Sequence, residues 1–87
     1  MNRMAKAFDL YFIRKVNDEV NSFNALAEKH SLKTRLSFNS ETSELNLVTE
    51  EGLKEGKVYS NLTKGSPAET IGIISSLKKI VCFELGE

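Results

Sequence analysis

The feature that most constrains this chain is an apolar stripe at helical spacing that fills its first third. Between the first and last residues of this stripe there is no Gly or Pro. The stripe consists of Phe8, Phe12, Val16, Val20, Phe23 and Ala27. Steps of three and four residues place side chains on one face of an α-helix. The sequence therefore predicts one long helix over about residues 4–29, whose apolar face the rest of the chain must cover.

Two stretches after this helix alternate between apolar and polar residues, which is the period of a half-buried strand. In the first stretch, one face takes Leu32, Thr34, Leu36 and Phe38. The other face takes Lys33, Arg35 and Ser37, which are expected to project outward. In residues 44–49, Leu45 and Leu47 face inward. Polar turn formers at 39–43 separate the stretches, so the sequence predicts an antiparallel hairpin.

The next segment is less regular and is read as a loop followed by a third strand. Residues 50–56 are charged and are punctuated by two glycines, which is typical of a surface loop. Residues 57–63 place Val58, Ser60 and Leu62 on one face of an extended segment. We therefore expect a third strand there.

The sharpest local signal is the start of a second helix at Ser66-Pro67-Ala68-Glu69. Ser66 can cap the first turn, and Pro67 suits the first helical position, where its missing N–H group has no cost. Glu69, three residues after Ser66, completes the pattern of a capping box. The helix is expected to run to about residue 84, with Gly86 as its stop. Its main apolar stripe is Ile71, Ile74, Leu77, Val81 and Leu85, and Gly72 near its start suits close packing.

The predicted order of elements is therefore α-β-β-(β)-α within a single domain, residues 1–87. A chain of 87 residues supports one small core. The fold class that follows is α+β with two layers, in which a long N-terminal helix and a C-terminal helix cover one face of a two- or three-stranded antiparallel meander.

Charge and cysteine content narrow the function classes. Twelve Lys and Arg residues balance twelve Asp and Glu residues. Nucleic-acid binding proteins gain affinity from a basic excess, so nucleic acid is not an expected partner. One cysteine, Cys82, cannot form an intrachain disulfide. No apolar run approaches the length needed to cross a bilayer. We expect a cytoplasmic protein without a membrane partner.

The residues that carry catalysis or bind metals are too few for an enzyme. His30 is the only histidine in the sequence, and it follows a helix on a polar stretch. Cys82 lies within an apolar helix, where a small buried side chain is its ordinary role. A structural zinc site needs four ligands of this kind. We expect no catalytic residues, no metal and no cofactor.

One segment suggests an anion site. Lys64, Gly65 and Ser66 lead from the third strand into a helix N-terminus, where free N–H groups attract anions. Arg35 and Tyr59 are further candidate contacts. The order Lys-Gly-Ser is not a P-loop, and Glu69 competes for the same N–H groups. Helix capping is therefore favoured over ligand binding at this point.

Apolar residues outside the two stripes suggest a surface that another protein covers. These candidate interface residues are Leu10, Ile13, Ile73, Ile80 and Phe83. A two-layer domain needs to bury one face of each helix. A surplus of apolar residues at helical spacing therefore indicates a further contact with another protein surface. Zero net charge gives little self-repulsion. The sequence therefore predicts self-association, with a two-fold dimer as the commonest form.

The Gly-Ser-Pro-Ala-Glu helix start within residues 57–85 resembles that of small accessory proteins of bacteriophages and mobile elements in Gram-positive hosts. The resemblance implies a non-enzymatic protein that inhibits a host defence protein or sequesters a small signalling nucleotide. Two functions are therefore expected. The first is a binding protein that acts through its apolar helix faces. The alternative is an oligomeric sponge for a small anionic nucleotide.

Overall fold

The computed structural model describes residues 3–86, with side chains from residue 10 onward. The elements in chain order are α1 (Arg3–Lys29), β1 (Thr34–Asn39), β2 (Glu44–Thr49), α2 (Glu50–Glu55), β3 (Ser60–Thr63) and α3 (Pro67–Leu85). The α+β class, the long first helix and the C-terminal helix are confirmed. The three strands form one antiparallel sheet in the order β1-β2-β3.

The sheet has the predicted hairpin and a shorter third strand than expected. Leu36 pairs with Leu47 in the β1–β2 register, which places both leucines on the predicted face. On the opposite face, which was predicted to point outward, Asn46 and Val48 are also buried. β3 pairs with β2 over four residues, and an irregularity between Leu45 and Asn46 shifts the register. The Asn61 amide donates to Asn46 Oδ1 at 2.9 Å across this irregularity. The third strand therefore begins at Ser60 rather than at residue 57.

The core lies between the sheet and the two long helices. Its buried members are Val16, Val20, Phe23, Ala27, Leu36, Leu45 and Ile74. Four of these belong to the stripe predicted on the first helix. Phe12 of the same stripe is half-buried, and the side chain of Phe8 lies outside the described residues. On α3, the half-buried Ile71, Leu77 and Val81 pack against the same core.

The segment predicted as a charged loop is the short helix α2, and that prediction was wrong. The Thr49 side chain caps it by accepting a hydrogen bond from Gly52 N at 2.8 Å, and Gly56 ends it with a φ of 72°. A Cβ at Gly52 would lie 3.0 Å from both Lys57 O and Thr49 Oγ1, so a larger residue would crowd this turn. Six residues are too few to show a helical stripe, which is why periodicity did not reveal α2.

The expectation that Arg35 projects into solvent was also wrong. Its side chain is on the predicted face of β1, opposite Val48, but Arg35 is 5% exposed. The guanidinium Nη1 donates to Leu32 O at 2.6 Å and to Thr34 O at 2.9 Å. Alternation predicts which face a side chain takes, but it does not show that an arginine folds back along its own strand to satisfy backbone carbonyls.

The outer edge of β1 is closed by a side chain of α1. Asn24 Nδ2 donates to Leu36 O at 2.9 Å, and Asn24 Oδ1 accepts from Leu36 N at 2.7 Å. One amide thus supplies both hydrogen bonds that a neighbouring strand would provide. These two hydrogen bonds fix the position of α1 along its axis relative to β1. They thereby align the apolar stripe of α1 with the sheet.

We expect Asn24→Ala to lower the free energy of unfolding by about 1–3 kcal/mol, because it leaves a part-buried N–H and C=O group without a partner. Asn21→Ala, at an exposed position of the same helix, is the matched control and should lie within about 0.5 kcal/mol of the parent protein. Urea denaturation followed by circular dichroism measures both. Equal free energies of unfolding for the two variants would show that the hydrogen bonds between Asn24 and Leu36 do not stabilise the fold.

Candidate functional site

α3 exposes an apolar face on the side of the helix opposite Ile74. This outward α3 face consists of Glu69, Gly72, Ile73, Ser76, Ile80 and Phe83, which are separated by helical steps of three and four apart from the adjacent pair Gly72 and Ile73. In this fully described helix the buried residues are Thr70 and Ile74. The opposite side of α3 is therefore largely exposed, apart from Ile73, which packs against the core.

The outward α3 face combines a groove with a ridge. Phe83 and Ile80 are 83% and 59% exposed and form the ridge near the C-terminal end. A shallow groove of about 640 Å³ lies nearer the N-terminal end. Its lining is Glu69, Gly72, Ile73, Ser76 and Leu77. A Cβ built on Gly72 would meet nothing within 4 Å, so this glycine leaves open space on the surface instead of packing against the core.

The orientation of α3 is set at its two ends and in its middle. Ser66 caps the N-terminus by accepting from Glu69 N at 3.3 Å, as the sequence predicted. Gly86 ends the helix with a φ of 74°. In the middle, Lys78 Nζ donates to Ser22 Oγ of α1 at 2.6 Å. Together with the burial of Ile74, this bond holds α3 against α1 and turns the outward α3 face to solvent.

The candidate interface residues are placed on two helices with different exposure. On α1, Leu10 is 57% exposed and Ile13 is half-buried. On α3, Ile80 and Phe83 are exposed, whereas Ile73 is half-buried and partly packed on the core. The sequence pattern thus identified the apolar residues of the outward α3 face. It did not identify Ser76. The signal in the sequence was a pair of small residues, Gly72 and Ser76, four positions apart on an apolar helix face.

A third exposed apolar group lies around the connection from α2 to β3. It consists of Leu53, Val58 and Tyr59. The neighbouring outer edge of β3 is unpaired by any strand within residues 3–86. That strand is four residues long, and Lys57 and Lys64 lie beyond its two ends. Short length and flanking lysines are features that protect an edge strand from pairing, so this edge is a weaker candidate than the outward α3 face.

Carboxylates of the chain lie beside the candidate anion site. A Cβ built on Gly65 would collide with Oε2 of Glu69, which shows that this carboxylate lies against Gly65, next to the helix N-terminus. Lys64 Nζ lies 3.9 Å from Glu44 Oε1. An anion would have to displace Glu69 and compete for Lys64, so the geometry favours capping.

The structure does not bring the five candidate ligand contacts together. Tyr59 precedes β3 and Lys64 follows it, so five residues of extended chain, roughly 16 Å, separate their backbones. Arg35 lies on β1, across the intervening strand β2, and its Nη1 already donates to two carbonyls. The helix start and the Arg35–Tyr59 end of the sheet are therefore separate places.

The described residues offer little for catalysis or metal binding. Among the side chains from 10 to 86, no three His, Cys, Asp or Glu residues are grouped so that they could hold a metal ion. His30 lies in the turn after α1 and Cys82 lies on α3, and each is half-buried. Within residues 3–86, no helix has both the length and the apolar character to cross a membrane.

Comparisons with protein-family models, with curated proteins and with solved structures found no match to this chain.

We expect Ser66→Ala to lower the free energy of unfolding by about 1 kcal/mol, because the first turn of α3 loses its cap. If Ser66 acts as a cap, the loss should be the same with and without excess inorganic phosphate in the denaturation experiment. A phosphate-dependent stabilisation that disappears in the Ser66→Ala variant would instead identify an anion site.

Proposed function

We propose that this chain is a small non-enzymatic binding protein that binds another polypeptide through the outward α3 face. The observation that supports this proposal most directly is the exposure of Phe83 and Ile80 on a helix whose other side packs against the core through Ile74. Glu69 and Glu84 border the apolar stretch at its two ends, and Lys79 borders it on one flank. The middle of the face has no charged side chain to keep it hydrated.

The energetics favour a covered face. Full burial of an Ile or Phe side chain contributes about 1.5–3 kcal/mol. Large aromatic side chains are also the residue type that most often dominates a protein interface. Phe83, the more exposed of the two, is therefore the expected anchor of the contact.

The shape of the surface favours a polypeptide over a small molecule. Small-ligand sites are concave and enclose most of the ligand, with a few polar groups that fix its orientation. The groove beside Gly72 is open along one helix and is lined by Ile73 and Leu77 with few polar atoms. A helix or another extended apolar surface fits this geometry better than a nucleotide.

The alternative function, a sponge for an anionic nucleotide, lacks a supporting observation in the described residues. The Glu69 carboxylate lies against Gly65, next to the helix start, and the Arg35 guanidinium is engaged by backbone carbonyls. The more specific role implied by the resemblance, inhibition of a host defence protein, stays a prediction. It is compatible with a polypeptide partner on the outward α3 face.

The test is a photo-reactive phenylalanine analogue placed at position 83 in the full chain, inside cells that produce it. Tyr59 is the matched control site, because it is an aromatic residue that is 77% exposed on another part of the surface. We expect irradiation to yield a discrete polypeptide adduct from position 83 and little from position 59. Equal yields at the two sites, or no adduct from position 83, would contradict the proposal.

A further inference from the structure

The groove and the ridge lie at equal distances from the middle of the outward α3 face. Gly72 in the groove is four residues before Ser76, and Ile80 on the ridge is four residues after it. Phe83 is seven residues after Ser76, and Glu69, at the far end of the groove, is seven residues before it. The shallow groove, which reaches as far as Ser76 and Leu77, therefore lies towards one end of the face, and the ridge of Ile80 and Phe83 lies towards the other.

This arrangement matches the symmetry of a two-fold contact between identical helices. When two copies of α3 pack antiparallel with Ser76 at the axis, each residue meets the residue at the same distance on the other side of Ser76. Ile80 of each copy then meets Gly72 of the other, and Phe83 meets the end of the groove at Glu69. A two-fold interface uses one patch on both subunits, so both ridges fill both grooves.

We infer that the polypeptide that covers the outward α3 face is a second copy of this chain, packed with its α3 antiparallel to the first. This inference rests on the proposed function and names the partner for the same surface. The small residues Gly72 and Ser76 allow the two helices to approach closely, and Ile80 packs into the space that Gly72 leaves open.

The exposed area is enough for a weak, reversible dimer. Phe83 and Ile80 are 83% and 59% exposed, and the half-buried Ile73 and Leu77 add to the face. With about 150–250 Å² for each large side chain, these exposed fractions correspond to roughly 500–1,000 Å² buried by the two copies together. That range is at and below the low end of specific interfaces, where association is weak and depends on concentration.

Charge distinguishes the antiparallel arrangement from a parallel one. Antiparallel packing about Ser76 brings Glu84 of one copy close to Glu69 of the other, so two pairs of like charges border the interface. Parallel packing would instead place Glu84 beside Glu84, where a lysine at position 84 replaces one like-charge pair with another. A positive charge at position 84 therefore strengthens an antiparallel dimer and leaves the affinity of a parallel dimer about the same.

The first experiment fills the groove. We expect Gly72→Leu to raise the dimer dissociation constant at least about tenfold, because its side chain occupies the space for Ile80 of the other copy. The melting temperature of the dilute monomer should rise, since Leu is a better helix former than Gly. Gly72→Ala is the matched control, which gains helix propensity but adds one methyl group and should retain the dimer. Sedimentation equilibrium over a range of concentrations measures all three proteins.

The second experiment tests the direction of packing. We expect Glu84→Lys to lower the dissociation constant by about two- to tenfold, because it replaces two like-charge pairs with two opposite-charge pairs. Glu84→Gln should give a smaller decrease. A dissociation constant that is unchanged or higher in the Glu84→Lys protein would overturn the inferred antiparallel arrangement.

The outcomes separate this inference from the proposed function. A parent protein that stays monomeric at the highest concentration overturns the second copy as partner. The proposed function would then still hold if position 83 forms an adduct with a different protein. A dimer that survives Gly72→Leu and is unchanged by Glu84→Lys would show that the copies associate elsewhere. A photo-adduct that joins two copies of the chain through position 83, and that is lost in the Gly72→Leu protein, supports both the second copy as partner and the proposed function.

Discussion

The sheet is too small to cover two long helices, and this mismatch governs the rest of the structure. α1 has 27 residues and is about 40 Å long, whereas the longest strands have six residues and span roughly 20 Å. Each helix can therefore bury a stripe over part of its length and one side of its circumference. The exposed Leu10 and Tyr11 on α1, and Ile80 and Phe83 on α3, are direct consequences of this geometry.

Polar contacts decide how the limited core is positioned. The Asn24 amide closes the outer edge of β1, so that α1 serves as cover and as edge neighbour for the same strand. Arg35 reinforces that strand through backbone carbonyls rather than through a partner charge. On the other side, the bond from Lys78 to Ser22 connects α3 to α1. These contacts leave the ridge of Ile80 and Phe83 on the outward α3 face exposed.

The same constraint gives a physical reason for a binding function. The small sheet leaves several large apolar side chains of the described residues exposed. Two of them, Ile80 and Phe83, lie on α3 beside the open groove at Gly72. This is the surface through which we propose that the chain binds a polypeptide.

The sequence by itself determined the elements whose signals are local. The stripe from Val16 to Ala27, the strand alternation and the cap at Ser66 each depend on neighbours along the chain, and all three are present in the structure. Tertiary structure decided the features that depend on distant groups. It folded Arg35 back along β1, set Asn24 against Leu36, and left Gly72 facing open space. Periodicity predicts which face a side chain takes, whereas its partners are decided by packing between elements that are far apart in sequence.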